Sequence, residues 1–191
     1  MADPELDASI AAQIAAGELT GAATVAIRSY GQELLGYLRM LLRDEEAALE
    51  TFAQLCENLW KGIASFRNQG SFRAWLYRLA LHAAQDFRRD LYRTRGRRLH
   101  TSEISGLVHE VTSGLRPDGQ LDRQKHLREI AEQLDDAEKT LVVLRLVNGL
   151  SWHEVAEVLA EEGTPVDEAA ARKRFQRLRT RLRTLLDAPE S

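Results

Sequence analysis

Seven cations and no acid stand between Ala169 and Thr184, in the run AAARKRFQRLRTRLRT. Guanidinium and ammonium groups free of neighbouring carboxylates act on polyanions. They neutralise phosphates and reach guanine edges, and a Gln among them can pair with adenine. Projected at about 100° per residue, Phe175, Leu178, Leu182 and Leu185 fall on one helical face. The opposite face carries Ala169, Lys173, Gln176, Arg177 and Thr180, flanked by Arg172 and Arg174. Such a helix has one edge for a core and one for a major groove.

A second basic stretch, SFRAWLYRLALHAAQDFRRDLYR, begins at Ser71. The same projection predicts a core of Phe72, Trp75, Leu76, Leu79, Ala83 and Phe87. Outward it places Tyr77, Arg78, Leu81, Gln85, Arg88, Arg89 and Tyr92, with His82 and Asp86 on the edge. Cations interleaved with rings suit single-stranded nucleic acid, where arginines follow phosphates and rings stack on unpaired bases. Tyr77 and Tyr92 are the stacking candidates.

The elements that carry these faces are all helical. Leu34, Leu35, Leu38, Leu41 and Leu42 recur at helical spacing, and a further helix is predicted from Glu45 to Trp60. Ser71 caps the basic helix that follows. Residues 99–124, with Gly106, Gly114, Pro117 and Gly119, read as a linker. Beyond it, helices are predicted over Leu127–Leu134, Ala137–Val147, Ser151–Glu161 and Pro165–Leu186. Asn148-Gly149 ends the second of these. Ser151 with Glu154 forms a capping box for the next, and Thr164 caps the last. A short capped helix, a turn and a long basic helix make a helix-turn-helix. The expected fold is therefore all-α: two small helical domains, 24–98 and 125–187, joined by a flexible linker, with residues 1–23 as an N-terminal extension forming a short helix on the first domain.

Composition removes several classes. The 191 residues carry a net charge of −3, but residues 61–100 sum to +8 and residues 169–184 to +7. One cysteine, Cys56, allows no intramolecular disulfide. The five histidines (82, 100, 109, 126 and 153) lack metal-ligand spacing, and no phosphate-cradling glycine loop or paired-carboxylate constellation occurs. No catalytic residue, metal or cofactor is expected. No uncharged apolar run is long enough to cross a membrane, and the acidic start of the chain is unlike a signal peptide. The expected location is the cytoplasm.

These residues resemble a known family. SFRAWLYRLALHAAQDFRRD is similar to the promoter-melting, −10-reading segment of bacterial sigma factors of the extracytoplasmic function group. LDDAEKTLVVLRLVNGLSWHEVAEVLA followed by RKRFQRLRTRLR is similar to their −35-reading domain. The resemblance implies a non-enzymatic, dissociable subunit that binds core RNA polymerase, recognises promoter DNA and helps to melt it. It implies −35 duplex contacts from Ala169, Arg172, Lys173, Arg174, Gln176 and Arg177. It implies contacts to the single-stranded −10 element from Tyr77, Arg78, His82, Gln85, Arg88, Arg89 and Tyr92. Core polymerase would meet Glu46, Glu50, Gln54, Glu57 and Trp60. A free monomer, held in some cases by an anti-sigma protein, is also implied.

Three departures stand out. In the polymerase-docking helix only Ala48 and Glu50 match the family's acidic-Ala-Glu-Asp-Leu-Val-Gln run, whose Gln is here Ala53. His82 replaces the usual Asn near the −10 base. The turn before the recognition helix is about five residues longer than usual, counted from Glu161. A stand-alone helix-turn-helix regulator with a helical sensing or dimerising domain is the alternative reading, and a helical adaptor protein a third. The regulator predicts a palindromic site bound without polymerase, and the adaptor predicts indifference to loss of Lys173 and Arg177.

Overall fold

The computed structural model of the chain describes residues 4–66, 70–91, 102–113, 133–160 and 166–186. It divides into two compact units, residues 2–116 and 117–191.

The first unit is built on α2 (Leu19–Leu42), a long helix buried along Ala23, Ile27, Tyr30, Leu34, Leu38 and Leu41. α1 (Pro4–Ala15) lies against it through the fully buried Ile10 and a short hydrogen bond from the Tyr30 hydroxyl to Asp7. That is the small packed helix expected of the N-terminal segment, although α2 already begins at Leu19, inside the 1–23 extension. α3 (Glu45–Gly62) opens at Asp44, whose carboxylate accepts from the Ala47 amide at 2.6 Å. Glu45 and Glu46 add negative charge at its positive end. Its inner stripe is Ala48, Phe52, Leu55, Cys56 and Leu59. A 3-10 turn (Ile63–Ser65) follows, then α4 (Phe72–Leu91). Ser71 caps α4 through the Ala74 amide, as its sequence predicts. Phe66, Phe72 and Trp75 cluster at the α4 start with centroids 5.0–5.5 Å apart.

The span expected as a linker contains a helix, α5 (Ser102–Ser113), packed on α2 and α3. Leu107 and Val111, one helical turn apart, are buried. A methyl group added at Gly31 would stand 2.9 Å from the Val111 side chain, so the glycine is what lets α5 approach α2. The Gln32 amide donates to the Val111 carbonyl, and Arg28 grips Glu110 with both nitrogens at 3.1–3.2 Å. Gly106 inside the helix costs about 1 kcal/mol relative to alanine, and this tertiary burial offsets it.

In the second unit α6 (Asp136–Val142) starts with an Asp135–Glu138 capping box and runs into a π-turn (Val143–Val147). Gly149, at φ 66°, closes it, with the Leu150 amide on the Leu144 carbonyl at 2.8 Å. α7 (Trp152–Leu159) has the expected Ser151–Glu154 capping box. The last helix, α8 (Glu168–Leu186), begins three residues after the predicted Pro165. Asp167 caps it, accepting from the Ala170 amide at 2.6 Å. Thr164 and most of the predicted Leu127–Leu134 helix lie outside the described residues.

One polar contact crosses the core of the first unit. Arg73, near the start of α4, is buried and meets Glu33 of α2 through two nitrogens at 2.8 and 2.6 Å. Removing Glu33 strands the buried Arg73 charge at low dielectric, whereas Glu33 keeps 23% of its side chain exposed and is partly solvated. Glu33→Ala should lower unfolding stability by about 3 kcal/mol, and Arg73→Ala, which leaves a partly solvated carboxylate, by about 2 kcal/mol. The Glu33→Leu/Arg73→Met pair should cost less than either alone. Urea melts followed by helical circular dichroism measure the three.

Candidate nucleic-acid interface

α8 presents the arrangement its sequence predicts. Ala171, Phe175 and Leu178 are buried against the rest of the second unit, and Leu182 is half-buried. Ala169, Arg172, Lys173, Arg174, Gln176 and Arg177 are all exposed. Arg181 anchors the helix at its far end, donating to Glu138 and to the Gln133 carbonyl at 2.5 Å each. The free edge is thus cationic over its first three turns, and the helix is tied to its neighbours through Arg181. Such an edge can follow a phosphate backbone while its side chains reach base edges.

Trp152, the first residue of α7, was not singled out by the sequence. Its ring stands edge-on to Phe175 at 5.4 Å, and the guanidinium groups of Arg145 and Arg172 lie 4.8 and 5.8 Å from its centroid. Arg172 also pairs with Glu168 at 3.0 Å. An aromatic residue directly after a capping serine was the available signal.

On α4 the outward residues are His82, Gln85 and Arg89, with Arg78 half-buried among them. Arg89 bonds to Asp86 on its own helix. Arg88 turns inward and donates to the Leu41 carbonyl at 2.5 Å, tying α4 to the end of α2. Tyr77 corrects the sequence reading. It is fully buried, edge-on to Tyr37 at 5.3 Å, and cannot stack on a base. Tyr92 lies outside the described residues. Trp75 and Phe87 are half-buried rather than enclosed.

On α3, Glu46 and Glu50 are exposed and Gln54 and Trp60 half-buried. Glu57 is not a surface residue: it is buried, with its carboxylate 3.4 Å from Lys61. Beside this row, Leu49 and Ala53 of α3 and Val108 and His109 of α5 line an apolar groove of about 280 Å³. Cys56 is buried, and burial pushes its thiol up to about 12, so it is an inert core residue. Among the described residues, no cluster of His, Cys, Asp or Glu could hold a metal ion.

Residues 26–94 match the family model for sigma-70 region 2. The chain is 31% identical over 156 residues to the RNA polymerase sigma factor YlaC of Bacillus subtilis strain 168, covering 78% of this chain and 86% of that protein. It is 31% identical over 140 residues to the sigma factor CnrH of Cupriavidus metallidurans, covering 68% of each. The chain belongs to the sigma-70 family, in its extracytoplasmic function group. A solved structure of CnrH in complex with the cytosolic domain of CnrY superposes with a TM-score of 0.63 at 26% identity, over 97% of this chain and 99% of that one.

In this sigma factor, then, the region 2 match spans α2 to α4, and the stand-alone regulator falls away. The outward face of α4 is short and made of His82, Gln85 and Arg89, with the tyrosine beneath it. Tyr77→Ala should remove about 3–5 kcal/mol of stability, as large-to-small changes at buried aromatic sites do. His82→Ala and Gln85→Ala should stay within about 0.5 kcal/mol of the parent. Thermal melts of the three variants check the assignment of core and surface.

Proposed function

We propose that this sigma factor divides promoter recognition between its two units. The unit around residues 24–98 docks on core RNA polymerase through Glu46, Glu50, Gln54 and Trp60 of α3. It meets the melted −10 strand through Arg78, His82, Gln85 and Arg89 of α4. The unit around residues 125–187 reads −35 base edges with Arg172, Lys173 and Gln176, while Ala169 lets the backbone approach and Arg174 and Arg177 hold phosphate. Residues 99–124 connect the two, their helical part fastened to the first unit.

The observation that carries this reading is the exposed Arg-Lys-Gln row on α8, backed by a buried Ala171–Phe175–Leu178 edge. His82 supports a departure in base preference at −10. An imidazole donates and accepts through ring nitrogens, with a reach and shape unlike an amide's. The protein acts by binding and has no catalytic chemistry of its own. Among the described residues no helix is long and apolar enough to cross a membrane, which agrees with work in the cytoplasm on polymerase. CnrH was solved with the cytosolic domain of a second protein, CnrY. A partner of that kind, an anti-sigma protein holding the chain inactive, is part of the proposal.

Reconstitution with core polymerase should yield a stable holoenzyme and discrete promoter-dependent start sites in sequenced transcripts. Lys173→Ala and Arg177→Ala should each weaken promoter binding and reduce the slope of log affinity against log salt by about 1. Initiation unchanged in both variants would overturn the −35 assignment.

A further inference from the structure

We infer that Trp152 is a positioning residue for promoter recognition: with Glu168 it fixes the Arg172 guanidinium for one −35 base pair. The inference rests on the proposed −35 role of α8.

The Trp152 ring is set by the core. It packs edge-on against Phe175, which is buried on the inner side of α8. Its tilt therefore follows the packing of α7 on α8. Two guanidinium groups use its face. Arg145 is nearer and already committed, since its Nη1 donates to the Leu150 carbonyl at 2.6 Å and so closes the turn before α7. Arg172 keeps more than half of its side chain exposed, with its Nη2 3.0 Å from Glu168 Oε2 one turn back. On the other side of Glu168, His153 Nδ1 lies 3.9 Å from its second oxygen, and His153 Nε2 lies 3.4 Å from Glu157. Among the described residues, Arg172 is the one cation in the exposed row of α8 with both a carboxylate and a ring partner.

An arginine that contacts guanine bidentately must give up its rotamer freedom. Arg172 gives up part of it before DNA arrives, through a ring quadrupole and an ion pair. The two partners differ in sign toward DNA. The indole is neutral and only orients. Glu168 orients but also repels the phosphate backbone, so it lowers affinity for every sequence while sharpening choice at one pair.

That difference supplies the test. Holoenzyme would be assembled from core RNA polymerase and the full chain carrying Trp152→Leu, Trp152→Phe, Glu168→Gln, Arg172→Ala or Trp152→Leu/Arg172→Ala. Each would be measured on a −35 duplex library. Arg172→Ala should cut discrimination at one base pair about tenfold. Trp152→Leu should cut it about threefold at that same pair, Trp152→Phe less, and the double variant no more than Arg172→Ala alone. Glu168→Gln should raise affinity for scrambled duplex about twofold while lowering discrimination at that pair. A Trp152→Leu loss spread evenly over all sequences, or one that adds to that of Arg172→Ala, would show a purely structural tryptophan and overturn the inference. If Arg172→Ala changes no position while Lys173→Ala and Arg177→Ala still weaken binding, the inference fails and the −35 role of α8 stands. If none of the α8 variants alters −35 binding, that role fails and takes the inference with it.

Discussion

The Arg73–Glu33 ion pair sets the rotation of the basic helix in the first unit. By apolar pattern alone, α4 would bury Phe72, Trp75, Leu76, Leu79, Ala83 and Phe87, with Arg73 at the edge of that face. Glu33 offers a carboxylate on the inner side of α2, and Arg73 is drawn in to meet it. At about 100° per residue, the buried arc then runs through Phe72, Leu76, Ala80, Arg73, Ala84 and Tyr77, a turn of roughly 70° from the apolar expectation. Everything on the outer face follows. Tyr77, one turn beyond Arg73, goes into the core against Tyr37. Trp75 and Leu79 rise to half-burial and His82 moves from the edge to the surface, while Gln85 and Arg89 keep the outward position expected of them. A buried pair of this kind is expensive to desolvate and adds little net stability. Its effect here is geometric: it selects which side chains the helix offers to a partner.

That explains where sequence reasoning succeeded and where it slipped. Features decided by neighbours along the chain were legible. Ser151 and Glu154 satisfy helix-end amides three residues apart, and Gly149 supplies the left-handed residue that ends the π-turn. The two faces of α8 were legible because that helix is buried along a narrow stripe of Ala171, Phe175 and Leu178. Features decided across the chain were not. Nothing local marks Glu33 as the destination of Arg73. Nothing local says that Gly31 leaves room for Val111, so the glycines around α5 outweighed its two buried apolar residues. The start of α8 slipped by three residues because Thr164-Pro165 and Asp167 are both good entry signals, and the carboxylate of Asp167 accepts from the Ala170 amide. Glu57, read as part of a docking row, is enclosed beside Lys61 because α3 is buried on more than one side.

The position of α5 bears on α3, the helix proposed to dock on polymerase. It packs beside Leu49 and Ala53 of α3, next to the exposed Glu46 and Glu50. Leu49 and Ala53, two of the residues that depart from the family run, line the groove beside α5. A polar run there would sit badly against Val108 and the methyl of Thr112, whereas Leu49 and Ala53 bury apolar surface. The departure of this helix from the family pattern thus has a physical account: part of α3 serves an internal contact.

The whole-chain charge of −3 conceals the division that matters. Residues 61–100 and 169–184 together carry +15, and the remaining 135 residues carry −18. Each basic stretch keeps its own field at contact range, since salt screens beyond about 8–10 Å. The surrounding acid reduces attraction at longer range. A helix that meets DNA along one face neutralises a limited number of phosphates, and its hold is strongly salt-dependent. Two such helices engaged together gain by effective concentration, without any new contact. The gain appears only when something holds both units in register with one duplex. Such an arrangement suits a protein that is to pass over most DNA when free and become selective on a larger scaffold, as a dissociable polymerase subunit must.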